Sequence, residues 1–258
     1  MAPPIERRRD GRHVQDQASS PPVDSDLQSE ALASLASARN YHAWLTSLAL
    51  PYLGDHPLEL GSGLGDYAQT WLDAGVPRLT LTELDRSRSE FLRSRFENES
   101  RIDVRQLDIL DPPKAHYSSL VAFNVLEHIE DHVGALRASH RLLVPGGAVI
   151  MFVPAFMFAM GRFDRRIGHF RRYTKRTLRA AYEAADLEVE TMRYVNAPGL
   201  VAWCLAVRLL RWTPGGGPAV QLWDRTITRA ARAVERRVTP PFGQSVFAVG
   251  RGSRPAAR

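Results

Sequence analysis

"LELGSGLGD", residues 58–66, places Gly61, Gly63 and Gly65 at alternate positions directly after a short apolar run. The run "PLEL" reads as a strand and "GDYAQTWLDAG" as a helix closed by Gly75, so the glycines fall at a strand-to-helix junction. Glycine adopts positive φ and lets a ligand approach without a Cβ in the way. At such a junction the turn usually cradles a nucleotide-derived cofactor.

Outward from this turn, strands and helices alternate. "RLTLTEL", "IDVRQLD", "SLVAFNVL", "AVIMFVP" and "LEVETMRYV" read as strands, and "SVFAVGR" as the last one. Between them "RSRSEFLRSRFEN", "DHVGALRASHRLL" and "TKRTLRAAYEAAD" read as helices. This rhythm predicts an α/β fold, a doubly wound sheet with helices on both faces. Residues 29–53 have helical apolar spacing, at Leu32, Leu35, Tyr41, Trp44 and Leu48, ending before Gly54. Residues 197–242 break the rhythm with helix formers, aromatics and arginines around "TPGGGP", and read as a helical insertion or lid before the last strand. Residues 1–27, with four prolines and no aromatic residue, read as a disordered tail, leaving 28–258 as a single domain.

Composition narrows the setting. No run approaches the roughly 18–20 apolar residues of a membrane span, and the N-terminus lacks an apolar signal core. The single cysteine, Cys204, suits a cytoplasmic protein without a disulfide framework. Net charge is +6, and eight cationic residues against one acid, Asp164, crowd into residues 161–179. A local cluster of this kind points to a binding surface more than the overall charge does.

Three acids follow the strand pattern. Glu83 closes the second strand, where a carboxylate can accept hydrogen bonds from both ribose hydroxyls. Asp108 closes the third, where it can accept from an adenine amino group, and Glu59 precedes the glycines, near any cationic amine. Together they outline an adenosine site. The runs "LELGSGLGD", "TELD", "LDIL" and "NVLEHIEDHVGALRASHRLLVPGGAVIMFVP" resemble the class I S-adenosylmethionine-dependent methyltransferases over residues 40 to about 196, rejoined by the last strand. The resemblance implies a seven-stranded Rossmann-like sheet whose last strand is antiparallel, and S-adenosylmethionine as cofactor. By the same resemblance Gly61, Gly63 and Gly65 pass under the methionine and ribose, and Glu59 helps to hold the amino group. Glu83 takes the ribose, with Asp85 the lesser claimant; Asp108 and Ile109 border the adenine, and Asn124 and Leu126 lie beside the sulfonium. "NYHAWL" resembles the family's N-terminal helix over the cofactor, giving Tyr41 and Trp44 a lining role, with plain core packing as the alternative. A nicotinamide enzyme fits less well, because Asp66 stands where the dinucleotide fingerprint wants a third glycine or alanine.

The segment "DRRIGHFRRYTKRTL", 164–178, resembles a "GHxRRY" signature in stand-alone bacterial methyltransferases that tailor glycans or secondary metabolites. It follows the fifth strand, on the substrate side of that fold. His169 is accordingly the expected general base, and Arg171, Arg172 and Tyr173 the expected substrate contacts, suited to a carboxylate or phosphate. The competing role for His169 is capping the next helix. Glu127, His128, Asp131 and His132 have a metal-like composition but no thiol, and the resemblance explains their loop as structural, so no metal is expected. "GLVAWCLAVRLLRW", 199–212, suits a lid packed on the domain, or a peripheral membrane contact. The expected partner is a small molecule. Nucleic acid is disfavoured, because "NVLE" at 124–127 replaces the "NPPY"-type loop of base methylation. An RNA or other nucleic-acid methyltransferase and a cofactor-binding module without catalysis remain as the alternatives.

Overall fold

In the computed structural model, which describes residues 24–209 and 217–252, seven strands form one sheet. They are β1 (Pro57–Leu60), β2 (Leu79–Thr82), β3 (Ile102–Arg105), β4 (Tyr117–Phe123), β5 (Leu143–Pro154), β6 (Leu187–Val195) and β7 (Ser245–Gly252), in the order β3-β2-β1-β4-β5-β7-β6. The first five are parallel, and β7 enters antiparallel between β5 and β6. The strand order reverses at β1, between β2 and β4, which is where open α/β sheets bind ligands. All four residues of β1 and of β2 are buried, as expected for parallel strands covered on both faces.

Helices α1 (Ser25–Leu35), α2 (Arg39–Leu53), α3 (Asp66–Asp73), α4 (Arg86–Arg95), α5 (His132–Arg141), α6 (Arg162–Arg166) and α7 (Lys175–Ala184) flank the sheet or its edge. Two cores result. One face packs Trp44, Leu45 and Trp71 from α2 and α3 with Val121, Ile150 and Phe247; the other packs Leu136, Leu178 and Tyr182 from α5 and α7 with Leu120, Val149 and Val246. Between β6 and β7 lie α8 (Ala197–Trp203), α9 (Pro218–Trp223) and α10 (Arg229–Glu235), with wide π-type turns at Cys204–Leu209 and Asp224–Thr228. This is the insertion expected from the sequence.

Three boundaries depart from the sequence reading. The helix expected over 29–53 is two helices, because buried Asp224 from the insertion accepts the amides of Asn40 and Tyr41 at 2.9 Å each and so starts α2 afresh. The tail expected over 1–27 lies outside the described residues up to residue 23, but its end is folded. Asp24 caps α1 through the Leu27 amide and pairs with Arg166, and Leu27 is buried. Finally, β3 stops at Arg105, so Asp108 stands in the turn beyond the strand rather than closing it.

Candidate active site

The C-terminal tips of β1, β2, β4 and β5 open into a cavity of about 1230 Å³, roofed by α1, α2, α6 and the insertion. At its floor the backbone leaves β1 through three left-handed glycines, Gly61 (φ 67°), Gly63 (55°) and Gly65 (80°). Gly61 and Gly63 line the cavity. Gly65 does not; it begins α3, and a Cβ there would meet the Phe96 ring at 2.6 Å, so this glycine serves the packing of α3 on α4. The Gly63 amide donates to Glu83 Oε2 at 3.1 Å, while Glu83 Oε1 accepts from the Asp85 amide at 3.0 Å and faces Arg88 Nη2 at 3.5 Å. Glu83 is thereby fixed at the cavity wall. Asp85 caps α4 through the Arg88 amide and does not line the cavity.

Beneath the turn lies Glu59, 3% exposed, with Oε2 lacking any hydrogen-bond partner. Burial pushes its carboxyl up to about 8, against a hydrogen bond from Ser62. Asp108, its Oδ1 accepting from the Leu110 amide, and Ile109 border the cavity at the β3 side. Asn124, with φ 55°, borders it beyond β4.

A second polar group occupies the wall between β4 and α6. His169 Nδ1 lies 3.0 Å from Asp164 Oδ1, and Nε2 lies 3.8 Å from Glu127 Oε1. Arg172 grips the same Asp164 oxygen through Nε at 3.0 Å and Nη2 at 2.6 Å, and its guanidinium stacks 4.6 Å from the Trp203 ring centre. Burial would raise Asp164, but the His169 hydrogen bond and the Arg172 charge outweigh it and hold the carboxyl below its usual value. Ionised Asp164 can only accept, so Nδ1 of His169 donates to it, and in the neutral ring the lone pair falls on Nε2. Glu127 is fully buried with both oxygens unpartnered; burial pushes it up to about 7, opposed by His169 and Arg172. Burial and the adjacent His169 push His128 down to about 3, which keeps that ring neutral.

Residues 58–149 match the family model described as a methyltransferase domain. Among solved structures, a Haloferax volcanii chain in complex with the Trm112 methyltransferase activator aligns with TM-score 0.60 at 18% identity, covering 90% of this chain and 95% of that one. The geranyl diphosphate C-methyltransferase of Streptomyces coelicolor A3(2), bound to Mg2+, geranyl diphosphate and S-adenosyl-L-homocysteine, aligns at 0.58 and 14% identity over 81% and 77%. The [4+2]-cyclase SpnF aligns at 0.58 and 19% identity over 83% and 81%. No curated protein matches the sequence. The fold is that of the class I methyltransferases.

S-adenosylmethionine is the cofactor of such a methyltransferase domain, and neighbours are solved with it or with its demethylated product. The residues present fit it. Glu59 does not itself line the cavity, but its unpartnered Oε2 lies directly beneath the turn and suits a cationic amine, and at Gly63, where a Cβ would meet only Leu32 at 3.5 Å, a ligand can approach the backbone closely.

One cavity gathers Tyr41, Gly61, Gly63, Glu83, Asp108, Ile109, Asn124 and His169. Other expected contacts are corrected. Trp44 is 1% exposed within the α2–α3 core, and Leu126, also 1% exposed, faces the α5 core; neither lines the cavity. Residues 171–173 are extended beside the end of β5, with an Ala155–Tyr173 bridge, so their side chains alternate. Arg171 and Tyr173 turn away from the cavity. Arg171 donates to the carbonyls of Ile129 and Glu130, and the buried Tyr173 hydroxyl lies 3.4 Å from the Leu126 carbonyl and 3.2 Å from His132 Nδ1. Arg172 turns inward, but Asp164 neutralises it. Asp164 was visible in the sequence only as the lone acid among cations, and Glu127 only as a member of the loop weighed for a metal. The set considered for a metal is also rearranged. Asp131 caps α5 and His132 meets Tyr173, whereas Glu127, His128 and His169 bring one ligand atom each within 4.8 Å of one another.

Proposed function

We propose that the chain is an S-adenosylmethionine-dependent methyltransferase acting on an oxygen or nitrogen of a small molecule, of secondary-metabolite or glycan type, with His169 accepting the nucleophile's proton. The observation that carries this reading is the placement of His169, held by Asp164 through Nδ1, in the same cavity as the Gly61–Gly63 turn and Glu83. When bound, S-adenosylmethionine supplies a methyl group already activated by the sulfonium charge. The protein's own work is then alignment, exclusion of water and proton removal. Orientation contributes about 7–11 kcal/mol in favourable cases, and a positioned base roughly 100- to 10,000-fold.

Glu59 is the proposed partner of the cofactor's amine, Glu83 of its ribose, and Asp108 with Ile109 of its adenine. The engagement of Arg171 and Arg172 within the protein withdraws the basis for an anionic handle on the acceptor. Two experiments test the reading. S-adenosylhomocysteine at about 100-fold over its dissociation constant stabilises a binding protein by about 2.7 kcal/mol, and Glu83→Ala is expected to abolish most of that shift. Glu83→Gln, which keeps an acceptor for the Gly63 amide, separates loss of ribose contact from collapse of the turn. A full shift in both variants would sink the ribose assignment. Labelled methyl transfer to small-molecule extract rather than to bulk RNA, lost in His169→Ala with cofactor affinity kept, tests the activity. The fold relationship to a [4+2]-cyclase makes a cofactor-binding chain with other chemistry the competing reading, and intact S-adenosylhomocysteine binding without transfer to either pool would favour it.

A further inference from the structure

The two ends of the cavity differ in chemistry. Its volume of about 1230 Å³ exceeds the roughly 300–1,000 Å³ usual for one ligand, so a second molecule has space beside the cofactor. The end bounded by β1, β2 and the turn after β3 presents backbone amides and the acids Glu83 and Asp108. The opposite end is walled by Met160, Phe163 and Ile167 around α6 and by Ala206, Val220 and Trp223 of the insertion, all apolar.

Its charges are spent elsewhere. Arg172 is closed on Asp164, and Asp224, which also reaches this wall, is 4% exposed and consumed by the first amides of α2. Arg165 stands exposed at the margin. Ala202 at the end of α8 and Ala206 in the π-type turn that follows both line the cavity, so the insertion presents small side chains there. The Trp203 indole donates to the Ala159 carbonyl at 3.0 Å and its ring meets Phe163 edge-on at 5.8 Å, which anchors α8 against α6 at this end of the cavity. A wall lined largely by apolar side chains, with Arg172 and Asp224 engaged within the protein and Arg165 left at its margin, favours a ligand that removes apolar surface from water.

We infer that the methyl acceptor is amphiphilic, with a flexible apolar chain lying between α6, α8 and α9 and its nucleophile-bearing head at His169. Calling this ligand the acceptor rests on the methyltransferase reading; the slot's preference for apolar chains does not. The test is calorimetric titration with 1-hexanol, 1-octanol and 1-decanol, with and without saturating S-adenosylhomocysteine. Affinity is expected to climb roughly threefold to fourfold per methylene, the factor that corresponds to burial of one CH2. Ala202→Trp, which fills the slot, is expected to lower decanol affinity at least tenfold, and Ala202→Val by less. Val201→Trp, on the exposed side of the same helix, is expected to leave it unchanged. A flat chain-length series, or undiminished decanol binding in both Ala202 variants, would overturn the inference. Failure of S-adenosylhomocysteine to bind would instead sink the methyltransferase reading, while the alcohol series in the ligand-free protein still decides the slot.

Discussion

At the β1–β2 end of the cavity, the groups that face a ligand are backbone atoms and carboxylates placed by a strand and the turn after it. Gly61, Gly63, Glu83 and Asp108 need only their own short segments to be where they are. At the α6–insertion end, several charged residues are instead engaged by other parts of the protein. Asp164 holds both His169 and Arg172, Arg171 holds the carbonyls of residues 129 and 130, and Asp224 holds the start of α2. The difference teaches what a cationic run means in this fold. Of the cationic run only Arg165 and Arg172 reach the cavity, Arg172 is closed on Asp164, and the side chains around them there are largely apolar.

The sharpest way to break this comparison is to treat Arg172 as a ligand contact. If it only held substrate, its loss would raise a Michaelis constant and spare the fold. As a buried partner of Asp164, Arg172→Ala is expected to cost about 3–5 kcal/mol, because it strands a buried carboxylate. Urea denaturation compared with Arg165→Ala, an exposed neighbour expected to stay within about 0.5 kcal/mol, decides between the two. Equal stability of both variants would reverse the assignment.

Trp44 sharpens the comparison on the cofactor side. Its removal is expected to cost about 3–5 kcal/mol by emptying the α2–α3 core, yet to leave S-adenosylhomocysteine affinity of the folded fraction within about twofold. Tyr41→Ala, three residues earlier and at the cavity wall, is expected to weaken binding more than Trp44→Ala does. A tenfold loss of affinity in Trp44→Ala would return that residue to the site.

The smallest effect concerns pH. With Glu59 pushed up to about 8, its carboxyl is protonated at pH 7 in the ligand-free protein. Pairing with a cationic amine requires the carboxylate, so binding releases a proton and affinity falls as pH drops below 8. Calorimetry at pH 8, 7 and 6 is expected to show a loss approaching tenfold between 7 and 6 (about 1.4 kcal/mol). Glu59→Gln is expected to remove that slope. A pH-independent affinity in the unmodified protein would place the amine elsewhere.

The sequence by itself determined the strand–helix alternation, the seven strands, the glycine turn and the acids near the strand tips, because each depends on a period or a spacing within about ten residues. Parallel strands buried on both faces read as apolar runs, and positive φ at consecutive alternate positions reads as glycine. Only the tertiary structure decided which aromatic near the cofactor is core and which is wall, since Tyr41 and Trp44 share a helix and differ in what packs against them. It alone paired Asp164 with Arg172 and His169, and brought Glu127 beside them from some forty residues away. It also started α2 with a carboxylate from residue 224. The physical reason is common to these cases. A buried charge must find a partner to offset its desolvation, and the chain offers that partner wherever folding brings it, which no local pattern of residue types records.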